Sequence, residues 1–328
     1  MKILVVRFSS IGDIVLTTPV VRCLKQQLPG VEIHFLTKKK FAGILSSNPH
    51  IDKLHTINRS INEVLPTLKS EKFDFVVDLH TNLRTKSLIW KLRVPSASFP
   101  KLNFKKWLYV RFKINKLPDI HIVERYFETV KSLGVTNDQQ PCDYFIASED
   151  QVDVTSLGLE PNSYVAFAIG AQFATKRMPT SKLIEVCNAI EKPVVLLGGP
   201  EDAETAKAII SQSTGNIQSQ CGTLRLGQSA SVVHQAQLLV THDTGLMHIA
   251  SAFNKRIVSI WGNTTPSLGM YPYMPQNSKN YSIHQVERLG CRPCSKIGFQ
   301  SCPKKHFSCM NLQDVGRIVA EVNRLYNS

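Results

Sequence analysis

A polar turn between an apolar run and a helix carries the clearest sign of chemistry. Residues 238–252 read LLVTHDTGLMHIASA, with the turn at Asp243, Thr244 and Gly245. The first amides of a helix have no partner within it, so they form a ready site for an anion. Thr244 adds a hydroxyl donor, Gly245 lets a phosphate approach the backbone, and His248 on the first turn can donate to the same anion. The alternative is a capped helix, with Asp243 or Thr244 as N-cap and His248 incidental.

A second polar turn follows the apolar run at residues 3–6 and reads SSIGD over residues 9–13. Its last residue, Asp13, lies at a strand-to-helix junction. Ligands of open α/β folds bind at the carboxyl edge of the sheet, so a carboxylate there can take a proton from a hydroxyl nucleophile. The alternative is that Asp13 only caps the helix.

Two further turns follow apolar runs in the second half of the chain. The loop AIGAQFATKRMP at 168–179 holds Lys176 and Arg177, which can meet a phosphate. The turn LLGGPED at 196–202 holds Glu201, which can accept from ribose hydroxyls. The alternatives are an ordinary basic loop and an acid that complements a helix dipole.

Four cysteines lie close together near the C-terminus with the spacing C-x2-C-x7-C-x6-C, and His306 lies among them. They are Cys291, Cys294, Cys302 and Cys309. The spacing allows a structural Zn²⁺ site that would pin a long loop. The alternatives are reduced thiols in a packed loop or a disulfide. Catalysis would not need this metal.

The elements that must position these turns are short apolar runs alternating with longer helical segments, the pattern of βα units and parallel sheets. At roughly 150 residues per domain, 328 residues favour two domains. Hydrophobic residues make up 43% and charged residues 20%, which excludes a disordered chain. The polar stretch 148–163 is the predicted linker, with the boundary near 155.

The charge balance predicts an anionic partner or a solubilising surface, because 39 basic residues outweigh 25 acidic ones. Residues 101–116, KLNFKKWLYVRFKINK, interleave lysines and arginine with aromatic residues. Such a segment can bind lipid headgroups or single-stranded nucleic acid. It can also be an amphipathic helix packed on its domain with the lysines in solvent.

Several common motifs are absent. A phosphate-binding G-x-x-x-x-G-K-[ST] loop is missing, which argues against a P-loop nucleotidase, and the lack of G-x-G-x-x-G weakens a dinucleotide oxidoreductase. The N-terminal apolar run is too short for a signal peptide, so the sequence predicts a cytoplasmic protein.

Taken together and in this order, the turns resemble the ADP-heptose:lipopolysaccharide heptosyltransferases, glycosyltransferase family 9. The resemblance runs over nearly the whole chain. It rests on RFSSIGDIVLTTP at 7–19, the Lys176 loop with Pro179, GGPE at 198–201, DTGLMHIASA at 243–252 and IVSIWGNTTPSLGMYPY at 257–273.

The resemblance implies a GT-B architecture, in which two Rossmann-like domains face each other across a cleft. It predicts an N-terminal acceptor-binding domain at 1–155, a C-terminal nucleotide-sugar-binding domain at 156–311, and a C-terminal helix at 312–328 that returns to the first domain.

The resemblance also implies metal-independent, inverting transfer of a sugar, heptose from ADP-heptose, to a hydroxyl of lipopolysaccharide core or a related glycolipid. Asp13 matches the catalytic base and Lys176 the phosphate-binding lysine. The matched donor-binding residues are Glu201, Leu224, Asp243, Thr244, Gly245, Leu246 and His248. The basic excess is concentrated in the first half of the chain, with 23 basic and 14 acidic residues over 1–150, which suits an anionic acceptor. The acceptor-side candidates are Ser10, Gly12, Arg84, Lys105 and Arg111.

Departures from the family pattern keep alternatives open. Ala171-Gln172 replaces a hydroxylated pair found in some members, and Met178 replaces an aromatic residue, so a GT-B transferase with another nucleotide sugar stays an alternative. A non-catalytic nucleic-acid-binding protein would explain the charge but not the turns, and no nucleic-acid partner is expected. Peripheral contact with the inner face of the cytoplasmic membrane is compatible with the sequence.

Overall fold

Two parallel sheets organise the chain, each in its own compact unit. The structure, a computed structural model, describes all 328 residues. The first unit comprises Met1–Lys101 and Ile120–Ala147, and the second Leu102–Asp119 and Ser148–Ser328. The chain therefore enters the second unit several residues before the expected boundary near 155. Residues 102–119 also belong to that unit, although they interrupt the first in sequence.

The strands are short, and most coincide with the apolar runs of the sequence. They are β1 (Lys2–Val6), β2 (Glu32–Lys38), β3 (Lys53–Ile57), β4 (Phe75–Asp78), β5 (Ser96–Ser98), β6 (Val165–Ala168), β7 (Val194–Leu197), β8 (Ile217–Ser219), β9 (Leu238–His242), β10 (Arg256–Trp261) and β11 (Tyr281–Gln285).

Helices connect the strands, and the longest is at the C-terminus. They are α1 (Ile11–Val15), α2 (Thr18–Gln27), α3 (Leu65–Ser70), α4 (Leu83–Leu92), α5 (Asn103–Phe112), α6 (Ile122–Phe127), α7 (Thr180–Ala189), α8 (Ala203–Gln212), α9 (Leu226–Gln235), α10 (Gly245–Ala252), α11 (Ser308–Asn311) and α12 (Val315–Asn327). None of them has the length and apolar character to cross a bilayer.

The first unit contains a five-stranded sheet in the order β3-β2-β1-β4-β5, with every pair parallel. Its central strand β1 is buried on both faces, which explains the uninterrupted apolar run ILVV in the sequence. Leu4 and Val6 pack in one core cluster with Leu36 and Val76 from the neighbouring strands.

The second unit contains a six-stranded parallel sheet in the order β11-β10-β9-β6-β7-β8. Alternate residues of β6 enter two different cores: Val165 and Phe167 face one, and Ala166 and Ala168 face the other. This arrangement confirms the predicted fold class of two parallel-sheet α/β domains, and it brings the carboxyl ends of β9, β6 and β10 to one edge.

The C-terminal helix packs on the second sheet, and its expected return to the first domain stays a prediction. Ile318, Val322 and Leu325 lie on one face of α12 and are buried in the core cluster that contains Val258 and Ile260 of β10. This spacing of three to four residues puts all three side chains on the same side of a helix. The apolar face of α12 is therefore buried within the second unit.

Candidate active site

The predicted lysine of the second unit forms an ion pair at the carboxyl edge of the sheet. Lys176 Nζ lies 2.6 Å from Asp243 Oδ2, with both side chains largely buried. Thr264 Oγ1 donates to the same carboxylate oxygen at 2.8 Å. The pair joins the loop after β6 to the turn after β9, so a lysine far from Asp243 in sequence is fixed beside it.

Helix α10 starts next to this ion pair with its first amides uncapped. Thr244 is the N-cap in extended conformation, and its side chain makes no capping hydrogen bond. The hydroxyls of Thr244 and Thr241 lie 3.1 Å apart instead. The alternative of a side-chain-capped helix is therefore not what the structure contains, and Gly245 leaves the backbone open to an anion. His248 is buried on the first turn.

A buried histidine that sequence reasoning missed connects the same two segments. His242 Nε2 accepts a hydrogen bond from the backbone N–H of Met178 at 3.0 Å. Burial lowers the pKa of His242 to about 4, so the ring is neutral and serves as an acceptor at physiological pH. It ties the Lys176 loop to the end of β9, and its only signal in the sequence was its place beside Asp243.

The turn after β7 contains two acidic residues that differ in exposure, Glu201 and Asp202. Glu201 is exposed, whereas Asp202 is buried and accepts from the N–H of Gly199 at 2.9 Å. The two apolar donor-side candidates, Leu224 and Leu246, are half-buried and pack against the same core cluster. The structure thus places the predicted donor-side residues around one edge of the second sheet.

The predicted base of the first unit is held by two neighbours at the end of β1. Asp13 Oδ2 accepts from Ser10 Oγ at 2.6 Å and from the Ser10 N–H at 3.2 Å. Arg7 Nη2 lies 2.5 Å from Asp13 Oδ1, and the Asp13 side chain is 20% exposed. The carboxylate is thus part of the start of α1, as the capping alternative required, and still meets solvent. Gly12 is buried in the same short helix.

Arg7 is the most consequential residue that sequence reasoning missed. Its guanidinium also donates to the carbonyls of Ser9 and Leu79 and to Tyr126 Oη. Burial alone would lower the pKa of Arg7, but the Asp13 carboxylate beside it raises that pKa above its ordinary value. Sequence reasoning gave Arg7 no role of its own, because nothing in its type or position distinguishes a buried arginine from a surface one.

The turn after β4 gathers basic side chains near Asp13. Asp78 accepts four hydrogen bonds, from the backbone and hydroxyl groups around it, and so fixes the turn that leads to α4. Burial lowers the pKa of His80 to about 3, with further lowering from Arg7, Lys101 and Arg84. Arg84 is exposed, with its guanidinium carbon 5.7 Å from the Phe8 ring centre.

The remaining acceptor-side candidates belong to the second unit. Lys105 and Arg111 lie on α5, which clusters with that unit although it interrupts the first unit in sequence. Their role on the acceptor side stays a prediction.

The cysteine segment does not form a compact set of metal ligands. Cys291 Sγ lies 3.9 Å from His306 Nε2, and all four cysteines are free thiols. No three metal-capable atoms of this segment lie within 4.8 Å of one another. This arrangement gives no support to the zinc centre, which stays a prediction.

One compact group of metal-capable side chains exists in the first unit, formed by His34, His55 and Glu71. His34 Nδ1 and His55 Nε2 are 2.9 Å apart, and the Glu71 carboxylate lies 2.9 Å from Lys2 Nζ and 2.5 Å from Lys53 Nζ. Two ammonium groups on the carboxylate oppose a metal cation, so we interpret this group as a hydrogen-bonded network.

Similarity to known proteins places this chain in a class of enzyme, the glycosyltransferases. The chain belongs to glycosyltransferase family 9 (heptosyltransferase), whose profile matches residues 62–300. It is 26% identical to a lipooligosaccharide heptosyltransferase 2 from Haemophilus ducreyi over 99% of both chains. The predicted resemblance is confirmed.

Solved structures share the fold over the whole chain. A family 9 glycosyltransferase from Veillonella parvula matches with a TM-score of 0.80 at 23% identity, covering 99% of this chain and 97% of the other. An Escherichia coli heptosyltransferase solved with ADP matches with a TM-score of 0.70 at 21% identity, covering 99% and 100%. These matches confirm the expected GT-B fold class.

A glycine supports the Lys176 loop, and its substitution tests that packing. A Cβ atom at Gly262 would lie 2.6 Å from the carbonyl oxygen of Thr175 and 2.6 Å from Met310 Cε. We predict that Gly262→Ala lowers the free energy of unfolding by about 1–3 kcal/mol, the usual range for overpacking. Gly43→Ala is the control, because nothing lies within 4 Å of its Cβ position. Urea unfolding of both variants measures the difference, and equal stabilities would contradict the packing.

Proposed function

We propose that this enzyme transfers heptose from ADP-heptose to a hydroxyl group of a lipopolysaccharide core or related surface glycolipid, with inversion and without a catalytic metal. The observation that carries the proposal is the Lys176–Asp243 ion pair beside the uncapped start of α10. An ammonium group and open helix amides together suit a diphosphate leaving group.

The donor is proposed to lie along the edge of the second sheet. Lys176 and the first amides of α10 would hold the diphosphate, with Asp243 orienting the ammonium group. Glu201 is exposed and available to ribose hydroxyls, and Leu224 and Leu246 offer apolar surface to the base. The family of the chain and an Escherichia coli relative solved with ADP both support an adenine nucleotide.

The proposed reaction is a displacement at the anomeric carbon of the donor. The acceptor oxygen attacks C1, its proton passes to the Asp13 carboxylate, and the bond from C1 to the diphosphate oxygen breaks. The electron pair of that bond leaves with ADP, whose growing negative charge Lys176, the amides of α10 and His248 would stabilise. One attack from the opposite side inverts the configuration at C1.

Asp13 suits the role of base because its carboxylate is oriented by neighbours and reachable from solvent. Arg7 and Ser10 each contact one of its two oxygens, and the Asp13 side chain is 20% exposed. Arg7 is a positioning residue in this proposal, since it touches Asp13 and not the substrate. Its buried guanidinium favours the charged form of the carboxylate.

The acceptor is proposed to be anionic. Lys101 and Arg84 join Arg7 in the electrostatic surroundings of His80, close to Asp13 in the first unit. Phosphate groups or acidic sugars of a glycolipid would neutralise this excess of positive charge. The first unit is thus proposed to bind the acceptor and the second the nucleotide sugar, at the inner face of the cytoplasmic membrane.

A transferase with a different nucleotide-sugar donor is the second candidate. Ala171-Gln172 and Met178 in the Lys176 loop depart from patterns in some relatives, and they flank the segment that is proposed to meet the diphosphate. The reaction class is the same in both candidates, so comparing donors in one transfer assay separates them.

Replacing the proposed base tests the mechanism. We predict that Asp13→Asn lowers turnover from ADP-heptose to a soluble core acceptor by at least ~100-fold, the usual scale of a lost general base, while ADP binding stays near normal. Asp153→Asn is the matched control, because Asp153 also accepts from a backbone N–H at a helix start, at 2.9 Å, but lies in the second unit. Unchanged turnover in Asp13→Asn would remove Asp13 from the reaction.

Removing the positive charge beside the base tests its positioning. In Arg7→Met, the carboxylate loses its cation and takes up a proton at higher pH, so the acid limb of the kcat/KM profile should move to higher pH. Arg7→Lys keeps the charge and should restore the limb toward its original position. Thermal melting is the control that tests whether both variants are folded. A folded Arg7→Met enzyme with an unmoved limb would show that Arg7 is only structural.

A further inference from the structure

Helix α5 carries a cluster of aromatic side chains that no core covers. Phe104, Trp107 and Phe112 are 69%, 53% and 54% exposed, and no residue of the helix is buried. The rings of Phe104 and Trp107 stack at 5.9 Å, and Phe112 meets Trp107 edge-on at 5.3 Å. Contiguous exposed apolar surface of this kind marks an interaction site.

Other side chains of the helix hold it on the second unit. Tyr109 Oη lies 2.9 Å from Ser267 Oγ, and Lys113 Nζ donates to the carbonyls of Pro293 at 2.7 Å and Cys291 at 3.1 Å. Because these contacts use Tyr109 and Lys113, the aromatic cluster is left free while the helix itself stays fixed.

The segment around the cluster is uniformly basic. Residues 101–118 contain no acidic side chain, and their basic residues are Lys101, Lys105, Lys106, Arg111, Lys113 and Lys116. Ile114, just beyond the helix, is 48% exposed. Basic side chains around exposed aromatic and aliphatic side chains complement a partner whose outer layer is anionic and whose underlying layer is apolar.

We propose that α5 and its flanks within the second unit, residues 102–118, are the surface that docks this enzyme on an anionic lipid bilayer. The aromatic rings and Ile114 enter the boundary between headgroups and acyl chains, and Lys105, Lys106 and Arg111 contact lipid phosphates. This deepens the proposed function and rests on it only for the lipid nature of the acceptor, because it assigns where the enzyme meets the membrane.

Two other occupants suit the surface less well. A second copy of the chain would bring two basic segments together, and like charges oppose that contact. Nucleic acid would need open ring faces for its bases, but Phe104 and Trp107 stack on each other and cover one face of each ring. Both occupants are outcomes of the experiment below.

The test is co-sedimentation of the full chain with vesicles of phosphatidylglycerol and phosphatidylethanolamine, compared with phosphatidylcholine vesicles. We expect binding to the anionic vesicles that weakens with salt. The pair Phe104→Ala and Trp107→Ala should reduce partitioning by about tenfold or more. Trp90→Ala is the matched control, because Trp90 is 74% exposed on α4. Equal loss with this control would overturn the assignment.

Charge is tested separately from apolar insertion. The pair Lys105→Gln and Arg111→Gln should weaken binding to anionic vesicles by about tenfold or more, whereas Lys279→Gln, an exposed lysine outside the segment, should not. No vesicle binding by the wild-type chain would overturn the proposal. So would dimerisation or oligonucleotide binding that is lost in the Phe104→Ala and Trp107→Ala variant while vesicle binding persists.

Tryptophan emission locates the contact. The chain has three tryptophans, of which Trp261 is buried, so a Trp90→Phe variant reports the environment of Trp107. A blue shift on adding anionic vesicles supports insertion of Trp107, and an unshifted spectrum contradicts it. These measurements use neither donor nor acceptor. A failed docking surface is therefore distinguishable from a failed transferase, which transfer to a soluble acceptor measures.

Discussion

Parallel pairing of every strand is the constraint on which the site depends. Because all strands of a sheet point the same way, each strand-to-helix turn of the second unit falls on one edge, and the turns after β6, β9 and β10 come together there. Lys176, Asp243 and Thr264 come from three different turns and meet for this reason. The same constraint puts the turn after β1, with Asp13, beside the turn after β4 in the first unit.

Charged side chains at these edges are held in position by partners of opposite charge. Arg7 is buried, and pairing with Asp13 offsets the cost of taking a guanidinium out of water. Lys176 is oriented in the same way by Asp243, itself bonded to Thr264. Burial lowers the pKa values of His242 and His80, so both rings are neutral at physiological pH. Each edge thus combines an ion pair with a neutral histidine.

The sequence predicted what local patterns encode. Apolar runs located β1, β6, β7 and β9, and the order of the turns identified the family. Strands β3, β5, β8 and β11 are less apolar, and their place in the sheets depends on pairing with neighbouring strands. Two assignments depended on tertiary contacts that no local pattern contains: α12 buries its apolar face on the second sheet, and residues 102–119 join the second unit. The ion pair between Arg7 and Asp13 could not be predicted from the sequence for the same reason.

The most direct test of the account is calorimetric titration of the protein with ADP, UDP, GDP and CDP in buffer containing a chelator. The account predicts selective binding of ADP without metal, and marked weakening in Lys176→Ala, which leaves the Asp243 carboxylate unpaired beside the diphosphate. Preference for another diphosphate would contradict the assigned donor. Binding of none, or undiminished ADP binding by Lys176→Ala, would contradict the assignment of the second sheet edge as the diphosphate site.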